Sequence, residues 1–435
     1  MSAPILKPSC TWFSPNVDTI TKNIITIINF ENSYTPSGTV TDSWDASVAQ
    51  DGSIMVYVEG TVLTIAGNGS GKIMANADSS RLFSYDDDSS NLFSALTTIN
   101  GLPLLDTSNC ETMERLFRSC TELTTVDISN FNTSKVKSFH MTFAVMNKLT
   151  KLSVAHLDTS ACEDMAYMFY GSKIPHIDFE NWDVSKVKTF DHFLSGANSV
   201  NSFDVSKWDV SSCENCNAMF NDVQVTNYDV SNWDVSNVKV FSQMFESNAK
   251  LTKIIGLENW DTSNGICFED MFSDSPYLKE LNLSSFNTKK AHSGSSTSTN
   301  GSTSACTKNI FNNLYRLEKI TLGENFTFLG DGTSSEIGSL PTPSSDYITG
   351  ADGNWYTANY TAYAPADVPN LTKATYYAST SIVDNLDAIV KNGTLKQIGN
   401  AIRLLTESTD LYTPSSMGPA IESAANDIIS KLSQI

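Results

Sequence analysis

The side chains with the chemistry for catalysis or metal binding are few in this sequence, and their spacing does not bring them together. Cys213 and Cys216 form a CxxC pair, but a redox or zinc site needs a second pair or a thioredoxin-like context, and neither is visible. The five histidines form no HExxH-like pair, and four of them fall at different positions of a sequence repeat. We therefore expect no shared histidine site, no catalytic residues, no metal ion and no cofactor.

A glycine-rich segment at residues 67–72 resembles a phosphate-binding loop only superficially. The GxxxxGK spacing would require glycine where Ala66 stands, and Ile73 occupies the position of the required Ser or Thr. The segment therefore predicts a turn between strands.

One column of carboxylates is a candidate contact surface. Its members lie between two apolar positions of a predicted strand, so their side chains should point outward; they are Asp127, Asp178, Asp204 and Asp229. Carboxylates stacked about 5 Å apart repel one another unless they are solvated or bridged by cations. A solvated face is the commoner outcome, and a strip that binds glycan hydroxyls or a basic partner is the alternative.

Four tryptophans share another column, at Trp182, Trp208, Trp233 and Trp260. Exposed, they would form a platform on which sugars stack. Leu157 holds the same position in another copy, which favours a buried stack.

These columns come from a repeat of about 26 residues. Its anchor, the first residue of an Asp/Asn-Thr/Val-Ser tripeptide, recurs at spacings of 26, 26, 25, 26, 25 and 27 residues, and a degenerate eighth copy begins at Asn287; the anchors are Asp106, Asn132, Asp158, Asp183, Asp209, Asp234 and Asp261. Apolar residues stand nine, six, four and one positions before each anchor. This frame is close to the leucine-rich pattern LxxLxLxxNxL, with an aromatic residue in place of the Asn.

The frame predicts an α/β solenoid. Alternation before the anchor favours a short strand, and apolar residues seven and eleven positions after it share one helical face. The Asp-x-Ser sequence at the anchor is typical of a helix N-cap. We therefore expect a leucine-rich-repeat-like stack of about eight strand–turn–helix coils with one parallel sheet, since single coils cannot bury their own faces.

Residues 105–117 (LDTSNCETMERLF) and 233–245 (WDVSNVKVFSQMF) carry a specific resemblance. They resemble the BspA-type leucine-rich-repeat surface proteins, with the mycoplasma-lipoprotein-like repeat that reads WDTSxVxxMxxMF. The resemblance covers about residues 95–330 and implies a surface-exposed binding or adhesion protein without catalysis.

The flanks predict the remaining domains. Residues 1–95 are expected to form a β-rich N-terminal cap or attachment region, with two strands around a Glu59-Gly60 turn, and residues 96–330 the solenoid. A low-complexity insertion occupies 289–307. Residues 331–380 should form a C-terminal cap, and residues 381–435 a helical tail.

The net charge and the segments at the two ends of the chain limit the classes of function that we expect. The formal net charge of −20 disfavours nucleic acid as a partner, no apolar run is long enough for membrane insertion, and the N-terminus does not read as a secretory signal. Residues 395–417 are similar to a module of tailed-phage tail and fibre proteins. We therefore expect a virion adhesin, of receptor-binding or fibre type, on an exposed tail or fibre; a cell-surface adhesin of a bacterium or parasite is the alternative.

The expected partners are a host cell-surface glycan or protein and other virion proteins. Helical spacing at 417–428 favours a homo-oligomer. A trimer is favoured because the fibre proteins that the tail resembles are often trimeric.

Overall fold

A computed structural model describes residues 3–13, 24–84, 93–291, 307–328 and 338–381. The chain divides into two compact units, Met1–Asn248 and Ala249–Ile435. Except for residue 381, the predicted helical tail with its phage-like segment 395–417 lies outside the described residues, as does most of the insertion. The domain boundaries at 95, 330 and 380 stay a prediction.

The first unit begins with a five-stranded sheet of order β2-β3-β4-β1-β6, in which β2, β3 and β4 are antiparallel and β1 lies parallel to β4 and β6. The two strands predicted around Glu59-Gly60 are confirmed as β3 and β4, and Gly60 takes the left-handed φ of 61° that this turn requires. The strands of the unit are β1 Ile27–Glu31, β2 Asp42–Asp45, β3 Met55–Glu59, β4 Val62–Ala66, β5 Ile73–Met74, β6 Thr98–Asn100, β7 Leu105–Asp106 and β8 Asn227–Asp229.

The second unit contains a five-stranded sheet of order β10-β11-β14-β12-β13. Strands β10 and β11 are parallel, and β14 pairs antiparallel with β11. Residues from the C-terminal side of the chain thereby cover the edge of the coil strand β11. The strands of the unit are β9 Lys253–Ile255, β10 Glu280–Leu283, β11 Lys319–Leu322, β12 Trp355–Tyr356, β13 Ala362–Tyr363 and β14 Ala374–Tyr377.

The prediction of a helix in each coil is wrong. Residues 96–291 and 307–328 contain no α-helix, and the short 3-10 segments of the described chain are Ser9–Trp12, Leu102–Leu104, Leu257–Asn259 and Pro365–Asp367. The coils therefore consist of short strands, turns and loops, and the strand–turn–helix α/β class does not hold.

Successive tight turns, rather than a helix, produce the four-residue spacing of buried side chains. The Leu116 N–H donates to the Met113 carbonyl within its coil, whereas the Arg115 N–H donates to the His140 carbonyl of the next coil at 2.7 Å. Arg115 and Ser119 take left-handed φ values of 55° and 60°, which turn the chain out of a helical path. An α-helix would use these N–H groups inside its own segment; here they join neighbouring coils.

The prediction that the residues preceding the anchors form a single parallel sheet is also wrong in part. In the first unit this face holds β8 and isolated parallel bridges between Thr125 and Lys151 and between His176 and Ser202. The Asp127 carboxylate accepts a hydrogen bond from the backbone N–H of Ser129 at 3.0 Å. Because this Asx turn bends the chain directly after the bridge, the strand has no room to lengthen.

A longer ladder lies on another face of the first unit, six residues after each anchor. Parallel bridges join Asp78, Thr112, Ser138, Asp164, Thr189, Asn215 and Val240 in succession. Most of these side chains are short and polar, and several accept the N–H two residues later, as Asp164 does from Ala166 at 2.8 Å. The chain thus makes a short strand and turns again.

The anchors themselves bend the chain. All eight accept a backbone N–H from the residue two positions later, at 2.9–3.1 Å. In several coils the next residue is a buried threonine that bonds to the following coil; the Thr107 hydroxyl donates to the Asn132 carbonyl and accepts its N–H. The predicted capping contact therefore exists, but it caps a turn.

Aromatic side chains fill the interior of the first unit. Phe83, Phe117, Phe143 and Phe169 stack at centroid distances of 5.0, 5.7 and 5.6 Å. All four tryptophans of the column are buried, as predicted. The indole N–H of Trp182, Trp208 and Trp233 donates to a backbone carbonyl of the preceding coil.

Candidate functional site

Exposed aromatic rings gather around one arginine in the second unit. We call Tyr277, Tyr315, Arg316 and Tyr347 the tyrosine platform. The three tyrosines are 49, 46 and 45% exposed, although large aromatic residues are usually covered in folded proteins. Tyrosine and arginine are among the residue types enriched in binding hot spots, so the platform is a candidate contact site of the described chain.

The rings and the guanidinium hold one another. The Arg316 guanidinium carbon lies 5.0 Å from the Tyr277 ring centroid and 5.8 Å from that of Tyr347, within the range of cation–π attraction. Tyr315 and Tyr347 stack at 5.2 Å with an interplanar angle of 26°. Turn segments position these residues: Tyr315 and Arg316 lie in the turn directly before β11, and Tyr347 belongs to the segment before β12.

Polar groups border the platform. The Tyr315 hydroxyl donates to Asn313 Oδ1 at 2.8 Å, and Asn313 Nδ2 donates to Asp274 Oδ1 at 2.7 Å. A cleft of about 290 Å³ continues from Tyr315, and amide and hydroxyl side chains line much of it; its residues include Asn309, Asn312, Asn313, Ser339, Leu340 and Thr342. The arrangement can stack a flat or ring-shaped ligand and hydrogen-bond its polar groups.

Asp270, which lies on the same coil as Tyr277, has a raised pKa. Burial, with further contributions from Glu269 and Asp274, raises the pKa of Asp270 to about 6. A hydrogen bond from Asn309, which also lines the cleft, opposes this rise. The charge at this end of the unit therefore changes in mildly acidic conditions.

The acidic strip predicted from sequence lies on the surface of the first unit. Asp127, Asp178 and Asp204 are exposed and Asp229 is half-buried. Asp204 and Asp229 border one cavity of about 290 Å³ together with Asn227 and Tyr228. Carboxylates at three positions of the strip also hold turns, because they accept the N–H of the serine two residues later; these are Asp127, Asp204 and Asp229.

Hydrogen bonds keep two members of the strip ionised. The Ser129 side chain and backbone lower the pKa of Asp127, and the Ser206 backbone and side chain lower that of Asp204. These two carboxylates hold turns of the chain, and their contact with a partner remains a proposal.

Two histidines from different coils lie against the same aromatic ring. His192 stacks on Tyr167 at 4.5 Å with an interplanar angle of 5°, and His140 lies on the same ring at 5.8 Å. Asp191 binds the His192 ring at 2.8 Å and also accepts a hydrogen bond from Asn217. The repeat brings together residues 25–27 positions apart, a distance at which no local motif is visible.

Six cysteines are buried and none of them forms a disulfide within the described structure; they are Cys110, Cys120, Cys162, Cys213, Cys216 and Cys267. Burial raises the pKa of Cys162 to about 12, so its thiol is not a nucleophile at neutral pH. Cys213 and Cys216 approach to 3.4 Å between sulfurs. Within the described ranges, no group of three His, Cys, Asp or Glu side chains is placed to hold a metal ion, and no helix has the length and apolar character of a membrane span.

Sequence reasoning missed the tyrosine platform. Tyr277 and Arg316 occupy equivalent places 39 residues apart, a spacing lengthened by the insertion, and Tyr347 comes from outside the repeat. One signal in the sequence is Tyr277 itself, which stands where the preceding coils carry polar residues such as Lys250 and Gln224.

The stacked coils and the buried tryptophan column together define a repeat protein built from short strands and turns. Residues 87–203 and 198–310 match the family described as "Mycoplasma protein of unknown function, DUF285", and the chain belongs to that family. No curated protein matches the chain. A solved structure, a leucine-rich repeat protein from Bacteroides ovatus ATCC 8483, is similar at 13% identity over 46% of this chain and 72% of that chain, with a TM-score of 0.19.

Proposed function

We propose that this chain is a non-catalytic, surface-exposed adhesin of a cell, and that the tyrosine platform is its main contact surface. The observation that carries the proposal is the grouping of three half-exposed tyrosines around Arg316. Membership of a repeat family with surface-protein character supports the setting. The ligand class is a glycan or a protein of another cell's surface.

The platform has the physical properties that adhesion requires. Its rings are held by mutual contacts and by the Tyr315–Asn313 hydrogen bond, so binding would cost little side-chain entropy. One such site gives a weak contact. Several copies displayed on a surface would bind with enhanced avidity, because linked sites act at high effective concentration.

The test is binding of the fluorescently labelled full chain to candidate host cells. We expect Tyr277→Ala and Tyr347→Ala to reduce binding at least tenfold, in line with aromatic hot-spot truncations, while the thermal midpoint stays near that of the parent. Tyr170→Ala is the matched control, since Tyr170 is 39% exposed in the other unit beside the His192 cluster. If Tyr170→Ala abolishes binding and the platform variants do not, the contact surface is misassigned.

The finer virion assignment is a separate proposal, supported by the resemblance of residues 395–417 to a module of phage tail and fibre proteins. Antibody labelling distinguishes the two settings: a cell adhesin is detected on intact cells, and a tail or fibre protein on purified phage particles. Self-association as a trimer through residues 417–428 remains a separate proposal, and light scattering of the full chain measures it.

The acidic strip remains a proposed second contact, for glycan hydroxyls or a basic partner. Asp178→Asn tests it, because the Asp178 side chain is exposed and asparagine keeps its size while removing the charge, so the fold should tolerate the change. A weakened interaction with a basic partner would support the strip; unchanged binding to every ligand found for the chain would remove it.

A further inference from the structure

Arg316 is a cation without a carboxylate partner among the described residues. The chain has 48 acidic and 28 basic residues, and one lysine of the same unit has a carboxylate partner: Lys279 pairs with Glu318 at 2.9 Å. Arg316 instead lies against the rings of Tyr277 and Tyr347. A guanidinium held in this way keeps its planar fork available for a carboxylate.

Two carboxylates of the same unit are engaged with other groups. Asp274 Oδ1 accepts the Asn313 amide at 2.7 Å, and Glu318 Oε1 pairs with Lys279. These bonds keep both carboxylates directed at other partners. The positive charge of Arg316 is therefore left for a ligand from outside the described chain, and it stands out on a protein of net charge −20.

The surroundings of Arg316 suit a sugar ring. Tyr315 and Tyr347 stack on each other and are still nearly half exposed, so ring surface remains for the apolar face of a sugar. Tyr315 also lines the cleft of about 290 Å³, where Asn312 and Thr342 offer polar groups for hydroxyls. That volume is at the small end of ligand pockets and matches one or two monosaccharide units.

We propose that the tyrosine platform binds a carboxylate-bearing sugar, such as a sialic or uronic acid at the end of a surface glycan. The carboxylate pairs with Arg316, the ring stacks on the platform tyrosines, and hydroxyls bond to the polar side chains of the cleft. This inference rests on the proposed function, since it names the ligand class of the same site.

Calorimetry with the full chain tests the proposal with three probes: sialyllactose, a glucuronate-containing disaccharide, and neutral lactose. We expect the acidic sugars to bind at least tenfold more tightly than lactose. Arg316→Gln should weaken the acidic sugars about 10- to 100-fold, the range for a charge-assisted hydrogen bond, and leave lactose unchanged. Arg316→Lys should restore part of the affinity, because it keeps the charge without the planar fork.

Lys290→Gln is the matched control, since Lys290 is an exposed cation of the same unit that bonds to Asn264; its affinities should stay within about twofold of the parent. Equal binding of lactose and acidic sugars, or acidic-sugar binding that survives Arg316→Gln in a folded variant, would overturn the inference. Platform-dependent cell binding with no affinity for any sugar, or with competition by a glutamate-rich peptide alone, would overturn it while leaving the adhesin proposal standing. Acidic-sugar binding by a chain that binds no cell would contradict the adhesin proposal and leave the inference about the ligand standing.

Discussion

Trp208 is the most informative residue at which to test the buried column. Its side chain is 1% exposed and its ring lies 5.1, 5.3 and 5.8 Å from those of Phe179, Phe190 and Phe193. Its indole N–H donates to the Phe179 carbonyl at 3.3 Å. Trp208→Ala removes the ring from a site with aromatic neighbours on several sides, and the coils above and below limit its collapse.

The magnitude follows from these contacts. A buried tryptophan removes roughly 200 Å² from water, which at about 25 cal/mol per Å² is about 5 kcal/mol as an upper bound. Partial relaxation of the cavity gives an expected loss of about 3–5 kcal/mol. Trp208→Phe keeps most of the ring volume and removes the hydrogen bond, so we expect a loss of only about 1–2 kcal/mol.

Urea unfolding followed by circular dichroism measures both losses, with Lys207→Ala as the control because that side chain is exposed. The control should change the free energy of unfolding by less than about 0.5 kcal/mol. A Trp208→Ala variant that unfolds at the parent's urea concentration but no longer binds cells or glycans would show that the column is a surface platform, and the burial argument would fail.

Three further predictions concern the frame of the coils. Lys188→Glu should lower the melting temperature and the deficit should shrink in high salt, because it replaces the ion pair with Glu163 by repulsion. Thr107→Val should cost about 1–3 kcal/mol in urea unfolding, since it leaves a backbone N–H of the next coil without its acceptor. For Asp270, a folded pKa of about 6 lies above the usual unfolded value, so the folded state binds more protons and its stability falls as pH rises toward 6. Asp270→Asn should remove that pH dependence; a parent equally stable at pH 5 and pH 7 would contradict it.

The repeat itself was predictable from sequence because burial leaves a periodic signature. The anchors, the tryptophan column and the two strands around Glu59-Gly60 all follow from residue type and spacing. The absence of α-helices from the described coils could not be predicted in the same way. Residues four apart are buried on one side both in a helix and in consecutive turns, and the sequence pattern does not separate the two. The deciding feature is left-handed backbone at Arg115 and Ser119, which neither residue type favours.

The candidate sites were harder to predict because the fold joins residues that share no local motif. His140 and His192 flank Tyr167 only because three coils stack. Tyr347 reaches the platform from the segment before β12, outside the repeat altogether. A pattern of about 26 residues describes what each coil buries, and it contains no information about exposed residues from different coils.

The backbone conformation that the coils share explains how different surface sites can arise on a regular repeat. One position nine residues after the anchor is left-handed in six successive coils of the first unit and carries Arg115, Met141, Tyr167, His192, Ala218 and Gln243. A left-handed conformation costs a non-glycine residue about 1–2 kcal/mol, and backbone hydrogen bonds between coils, such as that of Arg115 at 2.7 Å, offset this cost. The backbone therefore fixes the geometry whatever side chain is present. Since basic, aromatic, imidazole and small residues all occupy the same place, the side chain at this position is not set by the fold. The proposed site around Arg316 likewise depends on which side chains meet, Tyr277 from the neighbouring coil and Tyr347 from outside the repeat.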